Sequence, residues 1–230
     1  MKKIKDPISG ITHLVGAAAS IVGLVFLIIW AVKYGEGPLD VVSFTIFGAG
    51  LILLYTASSI YHLCNVSEKA STVLRKLDHI MIYILIAATY TPMTLGPLRG
   101  GWGWSIFGVV WGLAILGLFL TIFWIKAPRW LTTGIYLSMG WIVIIAVYPM
   151  FTTFASLNYA HTLLWLLAGG IFYTVGAVIY GLKWPHFKNK YFGFHELFHL
   201  FIMARQPLSL LVCNSICVEY LKKGCLMTTF

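Results

Sequence analysis

Long charge-free apolar runs occupy positions 11–32, 41–67, 79–98 and 100–125 of the chain, and a further stretch, 130–182, is long enough for two more. About 20 apolar residues in helical form cross a hydrocarbon core. Lipid offers no partners to free backbone groups, so each run is expected to be a helix. The pattern predicts spans over 11–33, 41–63, 78–97, 103–125, 131–150, 160–182 and 192–215. The breaks fall where turn chemistry collects, in "YGEGPLD", "NVSEKASTVLRK", "GPLRGG", "KAPRW", "YPMFTTFASLN" and "LKWPHFKNK". The expected fold is an all-α membrane protein, one seven-transmembrane helix bundle over residues 1–230, with no internal repeat and no soluble domain.

Composition agrees. Of 230 residues, 60% are hydrophobic and 10% charged, with mean hydropathy +0.88, more apolar surface than a soluble domain of this length can hide. The repetition of apolar runs argues against a single cleaved signal peptide, and "MKKIKDPISG" lacks a small-residue cleavage site at the right distance. The net charge of +9 sits in short connections between spans, which argues for loops at a membrane face and against nucleic acid as a partner. Cys64, Cys213, Cys217 and Cys225 form no CxxC pair and read as apolar thiols.

The same charges give an orientation. Eleven basic residues fall on one side: Lys2, Lys3 and Lys5 at the start, Lys69, Arg75 and Lys76, Lys126 and Arg129, and Lys183, Lys188 and Lys190. Opposite them stand only Lys33 and Arg99, with Lys222 and Lys223 in the tail. An excess of Lys and Arg marks cytoplasmic loops, so the N-terminus is expected in the cytoplasm. Three predicted spans then carry His62, Asp78, His195 and His199 to one leaflet. At 1.5 Å per residue, His195 lies roughly 7 Å and His199 roughly 14 Å beyond Lys190.

Each of these residues also has a purely structural reading. A lone histidine at a helix end can rest among headgroups, and Asp78 near Lys76 suits a helix's first turn. His195 and His199 are harder to explain that way. Four residues apart on a helix is 400°, so both rings leave nearly the same face, and two imidazoles on one oily stripe call for a shared partner. With His62, a metal is the economical one. Zinc suits three neutral imidazoles with an open fourth position, where it lowers the pKa of a water toward about 7. Asp78 could hold that water or orient a histidine. Ser58, four residues before His62 on the same face, could donate to a polarised carbonyl. Such a constellation suits hydrolysis of an amide or ester in a lipid-like substrate, and equally a purely structural ion.

Two resemblances follow. "HELFH", residues 195–199, matches the H-E-x-x-H of zinc metalloproteases, where the glutamate is a general base. Such enzymes take a third ligand from downstream, yet the 31 residues after His199 hold no histidine or aspartate and one glutamate, Glu219.

A broader set of motifs points elsewhere. "SSIYH" ending at His62, "SEKASTVLRKLDHIMIYILIAATYTP" containing Asp78, "HELFH", the opening "DPISGITHLVGA" and the central "RWLTTGIYLSMGW" together resemble the haemolysin III family. Its seven-helix bacterial members are related to the progestin and adiponectin receptors and, more remotely, the alkaline ceramidases. The likeness runs from about residue 6 to 204. It implies an integral protein of the bacterial plasma membrane. It also implies zinc on His62, His195 and His199, Asp78 at a water on the metal, and Ser58 in the same cluster. Glu196 has no matching role and is expected at the cytoplasmic mouth. His13 is expected behind the ligands at most, His79 is read as structural, and His161 and His186 lie away from the cluster.

From Arg205 onward the chain departs from the family pattern, so residues 205–230 are expected to be atypical, an altered end of the reading frame. Arg205 would fall within the last span, where a cation is costly, and Pro207 would kink or end that helix. Three functions fit: a zinc hydrolase of lipid amides or esters, a sensor or homeostasis protein with structural zinc, or the pore-forming cytolysin that the family name asserts. The expected partners are membrane lipids and a lipid-like substrate.

Overall fold

A computed structural model describes residues 5–34, 37–156, 160–186 and 192–227, with side chains of the last helix up to position 215. Its elements are α1 (Pro7–Tyr34), α2 (Pro38–Leu63), α3 (Glu68–Leu95), α4 (Gly101–Phe123), α5 (Arg129–Trp141), a 3-10 turn (Ile142–Ala146), α6 (Val147–Ser156), α7 (Ala160–Leu182) and α8 (Phe194–Met227). No strand occurs among the described residues.

Helix boundaries follow local chemistry. Pro7 and Pro38 open α1 and α2, where a missing N–H costs nothing. Ser67 caps α3 by accepting from the Ala70 N–H at 3.4 Å, with Glu68 in the first turn. Neighbouring helices in sequence pack together from α1 through α4, and α7 packs on α8 and α5. Closure comes from α8, which lies against α1, so that the first and last helices are neighbours.

Among the described residues, six helical stretches are long and apolar enough to cross a membrane: Pro7–Lys33, Pro38–Leu63, Gly101–Phe123, Arg129–Thr153, Thr162–Leu182 and Phe194–Ser215. Their outward residues are apolar too: Val15, Val22, Phe26 and Ile29 of α1 are each more than half exposed, a surface that only lipid satisfies. The expected seventh span, α3, does not meet that apolar standard. It begins with Lys69, Arg75, Lys76 and Asp78, and its second half is enclosed by protein: every residue from 90 to 98 is buried. A helix surrounded by other helices can carry polar groups that a lipid-facing one cannot. Tyr83, fully buried on α3, fits because Gly117 of α4 leaves no Cβ where its ring lies.

Two helices differ from the sequence reading. The span expected over 131–150 is broken by the 3-10 turn. There the Tyr90 hydroxyl donates to the Gly140 carbonyl at 2.7 Å and accepts from the Val143 N–H at 3.1 Å, substituting for regular helix partners. The last helix, expected to end near 215 and to kink or stop at Pro207, runs to Met227 with Pro207 inside it. Pro207 is exposed, whereas Gln206, Ser209, Val212 and Cys213 are buried, so tertiary packing holds the helix through the one backbone bond that proline removes. Arg205 sits on a cavity of about 320 Å³ between α3, the broken fifth span, α7 and α8. Its guanidinium lies 5.0 Å from the Tyr173 ring centre.

Candidate metal centre

The N-terminal end of the bundle gathers polar groups from four segments. His62 closes α2 and is 1% exposed. His195 and His199 occupy the first two turns of α8, half-buried and buried respectively. Three ring nitrogens, one from each histidine, lie within 4.8 Å of one another. Nε2 of His195 stands 3.5 Å from Nε2 of His62 and 3.2 Å from Nε2 of His199.

Those spacings bear directly on what the site can hold. Nitrogens about 2.0–2.1 Å from a tetrahedral zinc are separated from each other by about 3.3–3.4 Å. The observed 3.2 and 3.5 Å bracket that edge. The tautomer agrees as well. Nδ1 of His62 is 3.1 Å from Oδ2 of Asp6, so the carboxylate accepts the Nδ1 proton and leaves a lone pair on Nε2. Converging lone pairs repel unless a proton or a cation lies between them, and a carboxylate behind the imidazole is the usual support of a metal ligand. The residues present therefore fit a divalent ion of the zinc type.

Asp6 is the residue that sequence reasoning overlooked. It precedes Pro7 at the start of α1, and its backbone N–H also donates to the His62 carbonyl at 3.1 Å. A signal existed: Asp6, Ser9 and His13 are spaced three and four apart, one face of a helix. All three meet the cluster or its supports. The Ser9 hydroxyl donates to Oε1 of Glu196 at 3.1 Å, and the Gly193 N–H donates to Oε2 at 2.8 Å. Glu196, expected at the mouth, thus ties the first turn of α8 both to its own start and to α1. Its carboxylate is held there rather than at the convergence of the three nitrogens.

Ser58 lies one turn before His62 and is 1% exposed. Asp78 is buried at the same end, with Oδ2 3.8 Å from Nδ1 of His79, and it makes no hydrogen bond to the three histidines among the described residues. His79 itself is 2.8 Å from the Arg75 carbonyl, in keeping with its structural reading. His13, expected behind the ligands at most, stands directly against one of them. It is 4% exposed and stacks on His199 with ring centres 4.0 Å apart. His186 is exposed, and the side chain of His161 lies outside the described residues.

A family model described as "Haemolysin-III related" matches residues 1–205. The chain belongs to the haemolysin III family. It is 41% identical over 205 residues to the "Hemolysin-3 homolog" of Bacillus subtilis (strain 168), covering 89% of this chain and 91% of the relative. It is 38% identical over 202 residues to the "Hemolysin-3" of Bacillus cereus, covering 87% of each. Membership, with six apolar spans, makes this haemolysin III-family chain a multi-pass integral membrane protein. The family match ends at Arg205.

Proposed function

We propose that this haemolysin III-family protein holds a zinc ion on His62, His195 and His199 and hydrolyses an amide or ester bond in a lipid-like substrate. One observation carries the reading: ring nitrogens of His62, His195 and His199 lie within 4.8 Å of one another, two of their separations at 3.2 and 3.5 Å, with the tautomer of His62 held by Asp6. Zinc on such a site supplies Lewis acidity and a water acidic enough to deprotonate near neutral pH. The protein's part is to keep the imidazoles neutral, oriented and enclosed. Asp78 at the same end is available to accept a proton, and Ser58 to donate to the carbonyl being attacked. α3 completes the bundle as its seventh span, and the basic loops set the N-terminus in the cytoplasm, which puts the site beneath the inner leaflet.

A second reading has its own support. The three histidines join α2 to α8, and His62 and His199 are almost sealed, as in a structural brace. The lytic activity that the relatives' names suggest finds less support, because the cavity near Arg205 is lined mainly by apolar side chains.

Elemental analysis of the purified protein tests the reading. Wild type should carry about one zinc per chain, and His62→Ala and His195→Ala close to none. Asp78→Ala should keep zinc and lose turnover of a ceramide-like amide or a lipid ester. Zinc-free wild type overturns the metal. Zinc-loaded wild type that cleaves neither substrate, but melts lower once stripped of metal, supports the brace instead.

A further inference from the structure

His13 carries the strongest unexplained chemistry in the molecule. It stands in the second turn of α1, 4% exposed, with its ring nearly parallel to His199 (20°) and the edge of Tyr55 on another side at 5.0 Å. Neither of its nitrogens has a hydrogen-bond partner among the described residues. A neutral imidazole has one donor and one acceptor. Burying either unmet costs about 1–3 kcal/mol. If packing against His199 and Tyr55 were the whole role, a phenylalanine or leucine would perform it without that cost. Asp6, Ser9 and Glu196, the polar groups nearest in the same network, are already engaged with His62 and with one another.

Direct ligation does not resolve this. An ion held by His199 lies in the plane of that ring, and a zinc–nitrogen bond is only about 2.0–2.1 Å long. A second ring stacked parallel at 4.0 Å cannot bring a nitrogen so close without abandoning the stack. Nor does His13 belong to the group of mutually close ligand atoms, which is His62, His195 and His199. What remains within reach of a ring one layer away is the molecule that occupies the ion's open position.

We propose that His13 is a positioning residue of the metal centre, hydrogen-bonding the exchangeable ligand on the fourth site rather than the ion. The proposal rests on the metal reading above and deepens it. It gives the centre a selective side, where small anions and carbonyl or carboxylate oxygens gain a hydrogen bond from α1.

The test uses the full-length protein in detergent with cobalt(II) in place of zinc, titrated with azide and followed by visible absorption. His13→Phe keeps a flat ring in the stack and His13→Leu keeps only apolar bulk; both delete the hydrogen bond. Each folded variant should take up about one cobalt per chain, as wild type does, and bind azide about tenfold more weakly. Either folded variant suffices to decide. Azide affinity equal to wild type with cobalt in place overturns the proposal. So does loss of cobalt from a folded variant, which would make His13 a ligand. Wild type that takes up no cobalt overturns the metal reading beneath, and is told apart because the variants are then not needed.

Discussion

The two polar places inside this bundle are built on opposite principles. At the N-terminal end, polar side chains near the convergence point meet others from distant parts of the chain: Asp6 with His62, Ser9 with Glu196, His13 with His199. Around Arg205 a single cation faces a cavity, with the Tyr173 ring as its neighbour and no ion pair among the described residues. Both sites bury polarity in lipid-like surroundings, where it is costly. In the first, four segments share that cost and the result is a site. In the second, one side chain bears it, in the part of α8 where the family match stops.

Substitutions can break or sharpen that contrast. The largest effect is expected from Asp6→Asn. An amide cannot take the Nδ1 proton with the same strength, so the tautomer of His62 loosens and metal affinity should fall by about 10–100-fold. Competition with a zinc chelator measures this; unchanged affinity would mean that Asp6 only closes the end of α2.

Arg205→Leu should act in the opposite direction. Replacing a half-buried cation on the cavity wall by an apolar side chain should leave the metal content untouched. It should also raise stability by on the order of 2 kcal/mol, read as a higher melting midpoint in detergent. A lower midpoint would show that Arg205 has a partner worth more than its burial costs.

The smallest change is expected from Ser9→Ala. It removes one hydrogen bond to Glu196 and should cost about 1 kcal/mol, with slightly faster hydrogen exchange in the first turn of α8 and little loss of metal. A large loss of metal would make the Ser9–Glu196 tie part of the centre itself.

Acid should release the metal from wild type, because imidazoles bind an ion only when neutral. The loss belongs to the histidine end alone.

Much of this architecture was legible before any coordinates. Lipid imposes length and apolarity on every outward helix, so α1, α2, α4 and α7 could be read from runs of Val, Ile, Leu and Phe. The reading weakened wherever protein rather than lipid was the neighbour. α3 has a polar beginning because other helices enclose it, and a hydropathy rule made for lipid-facing segments undervalues it. The fifth span looked continuous, yet Tyr90, some fifty residues earlier, draws on the backbone of Gly140 and Val143 and turns it into a 3-10 turn. Pro207 looked like an end because the rule concerns one lost hydrogen bond, whereas the buried side chains on either side decide whether the helix goes on.

The histidine site divides in the same way. The i, i+4 spacing of His195 and His199 fixes a shared face by helix geometry alone, and the charged loops were enough to bring His62 to the same end. Sequence by itself therefore determined which elements form, and which residues could reach one another. Only the tertiary structure decided that α8 closes against α1. That contact seats Ser9 on Glu196 and His13 on His199, and the packing of α1 on α2 seats Asp6 behind His62, all pairs far apart in the chain. Helix periodicity is a local property of the backbone, but the angle and depth at which two distant helices meet depend on all the packing between them.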